Sequence, residues 1–150
     1  MKTLRLIGTT LLMVMLTVNF TACSDDEEQT IIDQANLIGK WQSTWEKIHK
    51  VENGKEVVTS DEAYTNGLRE FKADGTCTEG YADGGYTETS RWSLKGNKLT
   101  ISYDDGYSDV LTVNELTATK LVLALEDWDT MDDGSEELDD ITTTTYKKID

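Results

Sequence analysis

The chain has 150 residues, 29 acidic against 14 basic, for a formal net charge of −15 at pH 7. An excess of that sign argues against nucleic acid, whose phosphates call for basic patches, and against attachment to anionic membrane faces by charge. Hydrophobic residues make up 37% of the chain and proline is absent, so one core is affordable and glycine, asparagine and aspartate must make the turns.

The chain opens with Lys2 and Arg5, runs through the apolar stretch Leu6 to Val18, and reaches Phe20-Thr21-Ala22-Cys23. A charged start, an apolar centre and small residues before a cleavage point form a secretory signal. At about 1.5 Å per residue the apolar stretch spans roughly 20 Å, too short for a membrane-crossing helix. The ending on Cys23 resembles the lipobox of bacterial lipoproteins. That resemblance implies cleavage after residue 22 and acyl chains, palmitate among them, on Cys23. It also implies a protein held in the cell outer membrane by lipid. One acyl chain anchors only marginally, at roughly 0.8 kcal/mol per buried methylene, whereas two or three anchor firmly. Ser24-Asp25-Asp26-Glu27-Glu28 resembles the surface-export signal of one group of Gram-negative lipoproteins, with a solvated spacer as the alternative.

Residues 23–36 read as an acidic tether and residues 37–150 as one folded domain. Losing Lys2 and Arg5 leaves 12 basic and 29 acidic residues, a net charge of −17. With Cys23 acylated, Cys77 has no intramolecular partner and reads as a buried, inert thiol in a strand.

From Gly39 onward the chain reads as strand after strand. Gly39 to Val51 carries Trp41, Trp45, Ile48 and Val51, and Asn53-Gly54 turns it towards Val57-Val58. Residues 52–66 are polar and fit a short helix or a long loop as well. Gly67 to Lys72 and Thr76 to Tyr81 flank the turn at Ala73-Asp74-Gly75. In Tyr86 to Leu94, Glu88, Ser90, Trp92 and Leu94 share a face. In Lys98 to Tyr103, Leu99, Ile101 and Tyr103 do so. Tyr107 to Leu116, Lys120 to Glu126, an acidic loop, and Ile141 to Ile149 complete the series. About eight strands with turn signals between them predict an all-β fold, an antiparallel up-and-down meander closed into a barrel or folded as a sandwich.

Leu37-Ile38-Gly39-Lys40-Trp41, then Phe71-Lys72-Ala73-Asp74-Gly75-Thr76, then Trp92 to Ile101 resemble the lipocalin-like domain of small bacterial lipoproteins. The resemblance covers roughly residues 36–149 and implies an eight-stranded barrel that binds a small apolar or amphipathic ligand. Two features depart from true lipocalins. The late arginine that packs on the first-strand tryptophan is replaced here by Lys147 or Lys148, and the second lipocalin motif has no match.

Trp41, Trp45, Phe71, Trp92 and Tyr103 are the aromatics expected to point inward, lining a ligand cavity or filling the barrel. The acidic loop at residues 127–137 fails the EF-hand template: Met131 stands where an oxygen ligand belongs, and Asp140 where the closing glutamate would be. That leaves a solvated hairpin or a generic calcium site. His49 is the single histidine, with no nucleophile placed to use it, and no phosphate loop or zinc spacing occurs. The sequence therefore predicts a binding module without catalysis, cofactor or metal. Its rival is a solid-core scaffold that joins other envelope proteins.

Overall fold

The computed structural model describes residues 32–52 and 55–150. The signal-like segment, Cys23 and the Asn53-Gly54 turn lie outside those residues. A single-turn helix α1, Gln34–Leu37, is capped by Asp33, whose carboxylate accepts the Ala35 N–H at 3.0 Å. This helix falls in the segment that composition marks as tether, and Ile32 beside it packs on the core.

Nine strands follow: β1 (Gly39–Glu52), β2 (Lys55–Glu62), β3 (Gly67–Phe71), β4 (Thr76–Tyr81), β5 (Thr87–Lys95), β6 (Lys98–Ser102), β7 (Ser108–Leu116), β8 (Lys120–Thr130) and β9 (Glu136–Lys148). Each pairs antiparallel with its successor from β3 onward, and β9 returns to pair with β1, so eight strands close a barrel. The ninth, β2, pairs with the outer half of β1 while β3 pairs with its inner half. Strands β2 and β3 thus act as one long strand broken at residues 63–66. The polar stretch read as helix or loop is largely strand, because β1 supplies the ladder that its weak propensity lacks.

Turns form where aspartate and glycine predict them. At β3–β4 the Asp74 carboxylate accepts the Thr76 N–H at 2.9 Å, and Gly75 takes φ +83°, a conformation that other residues adopt at a cost. The acidic stretch forms a hairpin, one of the two readings its residues allow, with longer strands than alternation marks. Strand β8 runs on to Thr130, and Gly134 at φ +81° turns the chain into β9.

One end of the barrel is closed. Leu37, Trp41, Phe71, Leu99 and Leu121 are fully buried there, and Phe71 meets Trp92 edge-to-face at 5.7 Å. The indole N–H of Trp41 donates to the Leu37 carbonyl at 2.8 Å, and that of Trp92 to the Lys72 carbonyl at 3.0 Å, so neither buried donor is orphaned. The other end is uneven. Strands β1 and β9 have 14 and 13 residues and rise with β2 and β8 as a tall wall, while β4 and β6 have 6 and 5.

Candidate functional site

Alternation along the strands carries a polar layer into the barrel above the apolar floor. Trp41 stands opposite Arg69, Arg69 opposite Glu79, and Glu79 opposite Glu88, so all four share the inner face of β1, β3, β4 and β5. Arg69 and Glu79 form an ion pair, with side chains only 15% and 14% exposed. The guanidinium also lies over the Tyr146 ring, 5.8 Å from its centroid. Burial opposes the Arg69 charge, but Tyr146 and Glu79 outweigh it and raise the arginine's pKa further. Its Nη1 is buried without a hydrogen-bond partner among the described residues.

Tyr103, the residue just after β6, reaches into this layer. Its hydroxyl lies 2.9 Å from a Glu79 oxygen and 3.0 Å from an Asp109 oxygen. Burial first, and the two carboxylates next, raise the Tyr103 phenol well above its usual range. The Tyr86 hydroxyl donates to Glu88, which pushes that phenol up to about 12. Tyr81 and Tyr86 pack with centroids 5.8 Å apart, and Tyr103 stacks on Tyr107 at 6.0 Å. The inner faces of the low-rim strands therefore lead up to a cup with carboxylates below and phenol rings around it.

The five aromatics expected to face inward separate. Trp41 and Phe71 are fully buried in the floor, Trp92 is 7% exposed, and Tyr103 borders the cup. Trp45 does not face inward. It is 45% exposed on the outer surface, where its indole N–H donates to Asp61 at 2.6 Å. The cause is a bulge in β1. Ser43 pairs with Tyr146 and Trp45 with Thr145, so Thr44 is an extra residue and every later side chain changes face.

Sequence reasoning missed Arg69, Glu79, Glu88 and Asp109. The signal was present: Phe71 and Cys77 are apolar on facing strands, and stepping two residues from each lands on an arginine and a glutamate. Cys77 itself is buried, and burial pushes its thiol up to about 12, which leaves it unreactive. A cleft of about 150 Å³ is lined by residues of β1, β3, β4 and β5, Arg69, Glu79 and Tyr81 among them beside Lys40, Glu70 and Thr78, and is below the usual size of a ligand pocket. Among the described residues, no group of three or more His, Cys, Asp or Glu side chains is placed to hold a metal. No helix among them is long and apolar enough to cross a membrane.

A closed antiparallel barrel with a tryptophan-bearing first strand and a capped floor defines the lipocalin class. The chain belongs to the lipocalin-like domain family, whose model matches residues 37–123. Among solved structures it is similar to the bovine lipocalin allergen Bos d 2, with 15% identity, 78% of this chain and 75% of that one covered, and a TM-score of 0.46. It is also similar to a bovine odorant-binding protein complexed with its natural ligand, with 16% identity, 83% and 78% coverage, and a TM-score of 0.44. No functionally curated protein matches.

Proposed function

We propose that this protein is a non-catalytic binding module, anchored by lipid on Cys23 in the outer membrane and facing the cell exterior, whose barrel receives a small amphipathic ligand. The observation that carries the binding half is the division of the barrel into a filled apolar floor and a polar cup whose Arg69 and Glu79 are still 15% and 14% exposed. A tail rests against apolar surface while a head meets hydrogen-bonding groups, the usual composition of a ligand site. Membership of the lipocalin-like family supports that reading. The ligand contacts proposed here are Tyr103 with Arg69, Glu79 and Glu88, because Trp41 and Phe71 offer no exposed surface.

Titrating the protein with an environment-sensitive hydrophobic dye tests the binding half. Saturable binding at one site supports it, and a flat response contradicts it. The anchor and location rest on the lipobox-like ending at Cys23 and the acidic run after it. Cys23→Ala should release the protein from the membrane fraction, and unchanged retention would contradict lipid attachment. Protease applied to whole cells should degrade a protein that faces outward.

A second reading has its own support. Among the described residues strand β2 has one edge unpaired, with Val57 45% and Val58 50% exposed, which suits a scaffold that pairs with another envelope protein. A stoichiometric partner recovered from detergent extracts, lost on Val58→Lys, would favour it.

A further inference from the structure

We infer that the cup selects an organic cation carrying an oxygen acceptor next to its charge, such as an amino-alcohol head. This deepens the binding-module reading and rests on it. Among the described residues the inner faces of β3 to β7 hold one cation, Arg69, against Glu79, Glu88 and Asp109, so two negative charges go uncompensated there. The tall wall adds to the excess on its inner face. Asp127 stands opposite Asp140, with Lys50 as the facing cation, and burial and Asp127 together raise the pKa of Asp140. A partly enclosed cup concentrates that field and disfavours any anionic guest.

Phenol rings supply the second element. Tyr81, Tyr86 and Tyr107 are 45%, 47% and 62% exposed in two packed aromatic pairs at the rim. Ring faces beside carboxylates attract ammonium groups through both quadrupole and charge. Tyr86 donates to Glu88, and the single Tyr103 O–H, lying between Glu79 and Asp109, donates to one of those two carboxylates at a time.

The orphaned Nη1 of Arg69 supplies the third element. It is a buried donor among carboxylates already engaged by other groups, so it calls for an added acceptor. An oxygen two or three bonds from the ammonium would reach it while the charge stays beside the acids. A bare alkylammonium leaves this donor unmet, and a sulfate head meets the donor but opposes the field.

The test titrates the full chain, as its cell processes it and held in nanodiscs, with four probes that share a hexyl tail. Their heads are hydroxyethyl-dimethylammonium, trimethylammonium, hydroxyl and sulfate. The expected order of affinity is the order given, with the first exceeding the sulfate by about a hundredfold and weakening as salt rises. Glu88→Gln and the rim substitution Tyr86→Leu should each lower cation affinity about threefold or more, a larger loss than either causes for hexanol. Tyr86 is exposed, so its variant folds whatever Glu88→Gln does. Equal binding of the two ammonium heads, or sulfate or hexanol binding as tightly as either, would overturn the inference. Saturable binding by none of the four would instead remove the binding-module reading beneath it.

Discussion

The ammonium of Lys148 sits 5.1 Å from the centroid of the Trp41 indole and donates to the Asn36 carbonyl at 3.0 Å. One lysine therefore ties the last strand to the first and to α1, covering the ring where lipocalins place an arginine. Lys148→Met keeps the stem but removes both polar contacts, and should cost about 1–2 kcal/mol. Lys148→Arg should stay near wild type. Urea unfolding of both variants checks this, and equal loss in the two would contradict it.

The Arg69–Glu79 pair should follow the pattern of buried ion pairs. Arg69→Met strands Glu79, and Glu79→Gln strands the guanidinium, at about 3–5 kcal/mol each. Replacing both by methionine should recover most of that loss, because no buried charge is then left alone. A double variant as unstable as the sum of the singles would contradict the account.

The two first-strand tryptophans should behave differently. Trp41→Ala empties part of the packed floor and should cost about 3–5 kcal/mol. Trp45→Ala on the outer face should cost less than about 1 kcal/mol, chiefly its bond to Asp61. Deleting Thr44 would straighten the bulge and leave Trp45 opposite Thr145 on the outer face, so that variant should fold with its Trp45 still exposed.

Acid should loosen the hairpin turns. The Asp74 carboxylate accepts bonds from the hydroxyl and N–H of Thr76, and Asp133 does the same with Ser135, which holds both below their ordinary 3.8. A carboxyl with a depressed folded pKa stabilises the fold above its unfolded value. That stabilisation is lost as pH falls through the folded value. Stability should therefore decline below about pH 4, and Asp74→Asn should flatten the decline. An identical pH profile in that variant would contradict the assignment.

The sequence and the structure agree where information is local. Alternation from Glu88 to Leu94 and from Leu99 to Tyr103 assigns the inner face directly, because side chains in a strand repeat every two residues. Closure of β9 on β1 joins residues about a hundred positions apart, and here it is supported by family resemblance rather than by any local pattern. The bulge at Thr44 was illegible, since Trp41 and Trp45 are spaced as one face of a regular strand. The acidic ends of β8 and β9 read as loop because aspartate and glutamate disfavour strands, and pairing between long neighbours overrode that preference. The polar layer went unread for a different reason. Charged residues on a strand are assumed to face water, and only the pairing of Arg69 with Glu79 lets both turn inward.

The most direct test is NMR of the labelled protein titrated with the hydroxyethyl-ammonium probe, following the side-chain N–H signals of arginine and the amides of β3 to β6. Saturating shifts confined to Arg69, Glu79, Glu88 and Tyr103 are the expected result. Shifts clustered on β2 or the outer face, or none at all, would contradict a ligand cup inside the barrel.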